Sequence, residues 1–532
     1  MISYSEESGT IINVFVFLIT ILSVAVFVAR LTHWAWLPFS GKKKEKRTRK
    51  MFSKESVEID SHIDQRQDYL EHEAAWKEVF ISFGARVTGM ILGVLVTVAM
   101  GFFIDGVAAL TMPWYYNVWT IFPLFWCPCL FGCGLVPLAV DLWRRKKHNL
   151  SLSMTAQLNL VAAQIPWAII LLTMTCLGIR SAAILMFPAL FSAVALLIIH
   201  FTTLYRTVHT WTWVYLAIQI PSVILQMYVS LVAYVVLLPV MGRSGTINGD
   251  LYIAVVTAII TFYVTNFVVP FLSLVRRPAL VLCILLGCGL VMLPISLATS
   301  VGRPYKEGPE NPALQRFWIM HSDRQFYDEK QSLRRRDTGY FVLNLDRNSP
   351  RTIPLGNRSI SPIGGDCDEE LYCGLPLYTA RMVPWSRASS WIPSVPPVLP
   401  TPLGFTLKTR TCSTQTDCTM DFKITGPTRV TITFAPRDGV TVEDWSLPTA
   451  PVASAEWRGQ PAYFLHIVRA DITRDFSLSI HFKVSNASSP LMDMGLAGNY
   501  IDHDRFRTPE YQTFLKSFPD WTQMTAWISA YS

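Results

Sequence analysis

AAILMFPALFSAVALLIIHFT, residues 182–202, contains no Asp, Glu, Lys or Arg. A segment that crosses about 30 Å of hydrocarbon needs about 20 mostly apolar residues. This stretch meets that need. Seven others like it surround it: Ile11–Ala29, Val87–Leu110, Val118–Val140, Ala156–Gly178, Thr212–Leu238, Tyr252–Leu274 and Ala279–Thr299. A backbone in lipid must satisfy its own hydrogen bonds, so the pattern reads as eight membrane-spanning helices. Their ends carry charges, Gly/Pro turns or aromatics such as Met112-Pro-Trp-Tyr-Tyr-Asn117, which suit the headgroup layer.

Composition agrees with that reading. The 532 residues are 51% hydrophobic and 16% charged, with a mean hydropathy of +0.32. A soluble domain carries about 25% charged residues. A disordered chain, a fibrous repeat and a simple soluble enzyme are excluded, and a polytopic α-helical membrane protein is expected. The net charge of +8 is uneven. Residues 1–302 hold 21 Lys and Arg against 14 Asp and Glu, whereas 303–532 hold 25 against 24. The excess belongs to the membrane half and reports topology, so no nucleic-acid partner is expected.

Basic residues mark the cytosolic loops. Twelve lie between Arg30 and Arg86; Arg144, Arg145, Lys146 and Lys147 follow the third span, Arg206 the fifth, and Arg276 and Arg277 the seventh. The alternate loops hold only Arg180 and Arg243. The split of 19 to 2 makes 30–86 a cytosolic linker and puts both termini on the lumenal or extracellular side. Residues 1–302 thus form an eight-span domain, and 303–532 a second domain outside the cytosol. Tyr69, Trp76, Phe80 and Phe83 recur at helical spacing, so the linker ends as a short helix leading into the second span. The first span is longer than a signal-peptide core and its basic run follows it, so it inserts with its N-terminus outward.

Asp105 stands out as a carboxylate inside a span. Two readings stand: a proton or ion site, or a side chain near the lumenal end that reaches water. Gln157 and Gln164, and Gln219 and Gln226, are each seven residues apart and share a helix face. They line a polar cavity or bind helices together. Cys127, Cys129 and Cys133 read as small packing residues.

Beyond Arg303 the period changes to two, in Arg429–Phe434, Ala462–Val468 and Phe476–Val484. Such runs, split by Pro and Gly, read as an antiparallel β-sandwich over about 403–490. Six prolines in 384–402 read as an extended connector that separates it from 303–383. Pro509–Tyr531 reads as helical, then aromatic. Cys367/Cys373 and Cys412/Cys418 each enclose five residues, which suggests two local disulfides in an oxidising compartment. Zinc is the rival reading, but CxxC spacing and a nearby His are missing. Asn357-Arg-Ser and Asn486-Ala-Ser are glycosylation sequons on the lumenal side, and Asn149-Leu-Ser faces the cytosol and stays bare. No GxSxG, HExxH or phosphate loop occurs.

Several strings resemble the endoplasmic reticulum metallopeptidase family, which is similar to fungal vacuolar membrane proteases. They are Arg316-Phe-Trp-Ile-Met-His-Ser, Phe326-Tyr-Asp, Arg336-Asp-Thr-Gly339, Cys373-Gly-Leu-Pro376, Trp445-Ser-Leu447, and the closing Phe518-Pro-Asp-Trp521 with Trp527. Gly242-Arg-Ser-Gly245 and the opening Gly9-Thr-Ile-Ile-Asn are similar as well. The resemblance implies one N-terminal span, a lumenal zinc aminopeptidase-type domain, eight further spans and a lumenal tail, in the endoplasmic reticulum membrane. No position here matches the family's zinc ligands. The expectation is therefore the membrane-embedded and lumenal accessory region of such a peptidase, inactive alone and without a cofactor of its own. The bilayer, and a peptidase domain or lumenal proteins, would be its partners. The rival expectations are a transporter or channel built on Asp105 and the glutamines, and a membrane-anchored lumenal binding module.

Overall fold

The computed structural model describes residues 6–31, 72–148, 151–202, 204–307, 313–375, 383–413, 416–470, 475–485, 490–501 and 504–532. Most of the linker 30–86, and the sequons at Asn149 and Asn486, lie outside the described residues. Two compact units form: residues 1–238 with 250–303, and residues 239–249 with 304–532.

The first unit is helical. Its elements are α1 (Glu6–Leu31), α2 (His72–Val107), α3 (Cys127–His148), α4 (Leu152–Cys176), α5 (Ala182–Phe201), α6 (Val208–Met241), α7 (Gly249–Thr265) and α8 (Pro278–Ala298). Among the described residues seven helical segments are long and apolar enough to cross a membrane. The exception is α7, whose 17 residues cover about 25 Å at 1.5 Å per residue. The single helix expected over Tyr252–Leu274 breaks after Thr265 and resumes as a 3₁₀ segment, Val269–Leu274. Two features explain the break. Pro270 has no N–H to donate, and Arg86 takes the Asn266 carbonyl with its guanidinium. Small residues bring α2 and α3 together, a common device in membrane bundles. A Cβ on Gly132 would lie 2.5 Å from Gly93 Cα, and one on Gly93 would lie 2.9 Å from Cys133 Sγ. Cys127, Cys129 and Cys133 are buried.

The second unit is mostly β. One sheet has nine strands, in the order β3 (Ser361–Pro362), β4 (Ser390–Pro393), β2 (Leu333–Asn344), β1 (Gln315–Tyr327), β13 (Thr522–Tyr531), β12 (Met492–Tyr500), β7 (Arg429–Pro436), β10 (Gln460–Val468) and β9 (Ala455–Trp457). The other has four: β5 (Gly404–Cys412), β6 (Asp417–Thr425), β11 (Phe476–Val484) and β8 (Val440–Trp445). Phe422, Ile480, Ile432 and Phe434 share one core, so the smaller sheet packs on the β7 region of the larger in a sandwich-like way.

The strands expected over 403–490 pair antiparallel, as β5 with β6, β6 with β11, β11 with β8 and β7 with β10. Outside that stretch β1 and β13 run parallel from Gln315↔Thr522 onward. The proline-rich stretch is not simply an extended connector: it holds the single turn α10 (Val383–Ser386) and β4, which pairs with β2. The aromatic C-terminus, expected to follow a helix, is strand β13, which joins the region near 303–383 to the sandwich strands in one sheet. Before it comes α11 (Pro509–Lys516), where Thr508 caps the Tyr511 N–H and Pro509 opens the first turn. Tyr511 and Phe514 from this helix pack on Phe317 and Tyr340 of β1 and β2.

Candidate functional site: buried polar networks

The five polar residues singled out in the spans do not gather at one place. Asp105 lies half-exposed two residues before the end of α2. Gln157 accepts from Arg30 Nη2 at 2.9 Å and donates to Ser153 Oγ at 3.2 Å. Gln164 accepts from Ser23 Oγ at 2.6 Å and donates to Ser192 Oγ at 3.0 Å. These two therefore bind α4 to α1 and α5. Gln226 donates to the Tyr263 carbonyl at 2.6 Å. With Gln219 it lines a cavity of about 300 Å³ between α6 and α7.

A denser polar network lies elsewhere. Arg144, wholly buried, places Nε 2.7 Å from Glu78 Oε2 and a second nitrogen 3.7 Å from Asp141. It also donates to Ser82 Oγ at 2.8 Å and to the Glu78 carbonyl at 2.7 Å. Asn159 donates to Asp141 Oδ2 at 2.8 Å. Arg86 donates to the Asn266 side chain, and Asn266 to the Ala163 carbonyl at 2.8 Å. Helices α2, α3 and α4 and the turn after α7 thus converge on buried charge. The sequence reading took Arg144 for a loop residue, yet it belongs to α3 and faces inward. The available signal was spacing: Glu78, Ser82 and Arg86 return to one face every four residues, and Asp141 and Arg144 are three apart. Asp250 was also passed over. Buried in the first turn of α7, it accepts from Met112 N–H at 2.9 Å and Trp114 Nε1 at 2.7 Å. His200 is buried in α5, 5.1 Å from the Phe27 ring.

The β unit holds a second network. Arg324, 2% exposed, clamps Asp337 through Nε at 2.6 Å and Nη2 at 2.9 Å, and meets Asp366 at 2.9 Å. Its guanidinium lies 4.1 Å from the Trp391 ring centroid. Arg335 also pairs with Asp366, and Arg336 with Asp323. Asp346 is a buried carboxylate that accepts from Tyr305 Oη at 2.6 Å and Gln315 Nε2 at 3.2 Å. Burial pushes its carboxyl above the usual range, against those hydrogen bonds. His321 is buried between Tyr340 and Tyr511, with Nε2 2.7 Å from the Val395 carbonyl. Its surroundings are those of a packed core residue.

The thiols pair as Cys367–Cys373 and Cys412–Cys418, with Cα atoms 3.7 and 4.0 Å apart. Those separations fall below the usual lower bound of about 4.4 Å. Asn357 is exposed. Among the described residues no group of three or more His, Cys, Asp or Glu could hold a metal ion. No catalytic step is assigned to these residues.

Comparison with known proteins places the second unit. Residues 312–532 match the family described as "Endoplasmic reticulum metallopeptidase 1, C-terminal domain". Endoplasmic reticulum metallopeptidase 1 of Mus musculus is 24% identical over 299 residues, 55% of this chain and 33% of the relative. That of Homo sapiens is 25% identical over 302 residues, 55% of this chain and 32% of the relative. The chain spans about a third of the length of the curated relatives it matches. Among solved structures, the yeast delta-COP-I mu-homology domain aligns over 41% of this chain and 95% of its own at 10% identity, with a TM-score of 0.20.

Proposed function

We propose, from the match of residues 312–532 to the C-terminal domain of endoplasmic reticulum metallopeptidase 1, that this chain is the membrane-embedded and lumenal accessory region of such a peptidase. In this reading all eight helices span the endoplasmic reticulum membrane, with α7 as the short one. Both termini are lumenal. The 19-to-2 distribution of basic residues supports that orientation.

The two cysteine pairs oxidise in the lumen and Asn357 and Asn486 carry glycans there. The helical unit anchors, and the β unit offers a rigid surface to a peptidase domain or to lumenal proteins. In this reading zinc belongs to the peptidase part of the family. The match of the β unit to the family is the observation that carries this reading.

The purified chain is expected to hydrolyse no aminopeptidase substrate and to hold less than one zinc per chain by elemental analysis. Cleavage abolished by chelation and restored by zinc would overturn the accessory role, because two-metal hydrolysis needs a complete ligand set.

A further inference from the structure

Four of the thiols outside the disulfides meet in pairs. Cys127 hydrogen-bonds with Cys288 of α8, and Cys129 with Cys133, one turn further along α3. Residues two apart lie about 200° around a helix, so Cys127 and Cys129 are on opposite sides of α3 and the pairs stay separate. Cys288 is exposed on the outside of the bundle. Cys129 and Cys133 are enclosed, at 0% and 4% exposure.

The enclosed pair faces a gap. A Cβ on Gly93 of α2 would lie 2.9 Å from Cys133 Sγ and 3.4 Å from Cys129 Sγ, so both sulfurs border the place where Gly93 has no side chain. Thr97 of α2 and Thr261 of α7 complete the surroundings, each hydrogen-bonded with Cys129. Their hydroxyls donate to carbonyls of their own helices, Gly93 and Thr257, both at 2.7 Å. The two sulfurs are left as the soft ligands.

Two thiols and no third ligand select the ion. Structural zinc takes four Cys, His or carboxylate donors, and iron–sulfur clusters take four thiolates. Among the described residues no group of three or more such side chains converges here. Copper(I) is soft, prefers thiolate sulfur, and is satisfied by two sulfurs in line. Residues four apart on a helix hold their Cβ atoms about 5–6 Å apart, which lets the sulfurs flank one ion.

Charge selects the same ion. Arg86 is 5% exposed and hydrogen-bonds to Asn266, yet it has no carboxylate partner among the described residues. It acts electrostatically on Cys133. A buried cation without a counter-ion is costly. Two thiolates around one monovalent ion carry a single negative charge, which Arg86 neutralises. A divalent ion would leave the positive charge unbalanced.

We propose that Cys129 and Cys133 bind one copper(I) ion between α2, α3 and α7. On binding, both S–H bonds break, two Cu–S bonds form and two protons leave to solvent, while copper stays monovalent. The proposal concerns the helical unit alone, so it and the peptidase connection can fail separately.

The test is a titration of the full chain in detergent, without oxygen, with copper(I) kept reduced by ascorbate and buffered by the chelator bicinchoninate. Ascorbate leaves disulfides intact. The chain is expected to take one ion from the chelator, and X-ray absorption of the natural chain with one equivalent bound to show two sulfur ligands and no nitrogen. Cys129→Ser and Cys133→Ser each remove a ligand. Each is expected to weaken binding by about a hundredfold or more, beyond the 10–100-fold that loss of an outer partner costs. Cys127→Ser and Cys288→Ser are the controls and keep the affinity. All variants are compared as monodisperse peaks, and the spectrum of the natural chain needs no variant. No uptake, nitrogen ligands or more than two sulfurs in the spectrum, zinc bound as tightly as copper(I), or a loss in Cys127→Ser as large as in Cys129→Ser would overturn the proposal.

Discussion

Arg144→Met is expected to abolish accumulation of the folded chain. Arg144 is wholly buried between Glu78 and Asp141, and it also holds Ser82 and the α2 backbone. Removing it leaves two carboxylates buried with no cation between them, at a cost of about 3–5 kcal/mol. That is a large share of the 5–15 kcal/mol that holds a typical protein together. Arg144→Lys keeps the charge but loses the planar fork, so an intermediate loss is expected. Adding Glu78→Gln to Arg144→Met removes one stranded charge and should restore part of the yield. Size-exclusion profiles of fluorescent fusions give the readout. A monodisperse Arg144→Met peak of wild-type height would show that the network contributes little.

The second large effect concerns Arg324 in the β unit. It bridges Asp337 on β2 and Asp366 on the single turn α9 (Asp366–Glu369), beneath Trp391 of β4. Asp366 neighbours the Cys367–Cys373 pair, so one guanidinium ties the β1–β2 hairpin to that cross-linked loop. Asp337 and Asp366 keep about a fifth of their surface in water, which lowers the expected cost of Arg324→Ala to about 3 kcal/mol. At about 2–4 °C per kcal/mol for a unit of this size, the β-unit transition should fall by about 6–12 °C. Arg324→Lys should lose more than half as much, because the bidentate clamp on Asp337 has no ammonium equivalent. A shift below 2 °C for Arg324→Ala would mean that the aromatic packing alone holds this corner.

Both residues show which parts of the molecule were readable in advance. The apolar helices follow from length and charge alone, since each must match the bilayer by itself. Strands β7, β10 and β11 follow from the alternation of apolar with polar side chains in the sequence, such as Val430, Ile432 and Phe434 against Arg429, Thr431 and Thr433 in β7. β13 escaped because its last five residues are buried on both faces, which erases the period of two. Its parallel partner β1 lies some 200 residues away, and no local pattern encodes that pairing. The break after α7 depends on Arg86 reaching Asn266 across 180 residues. The Glu78–Arg144 ion pair likewise joins two helices that look independently capped by charge. Gln157 and Gln164 were found as a face, but only packing shows that their hydrogen bonds are spent on Arg30, Ser23 and Ser192.

The placement of the β unit in the lumen of the endoplasmic reticulum is the claim on which the rest depends. Asn357 reports it, because its sequon is exposed and is modified only if it reaches the lumenal enzymes. The full chain is expressed in cells as wild type, Asn357→Gln and Asn357→Gln/Asn486→Gln, then digested with endoglycosidase H. The account predicts a shift in the wild type, a smaller one in the single variant and none in the double variant, with Asn149 unmodified in all. A wild-type chain unshifted by the enzyme, or one glycosylated at Asn149, would contradict it.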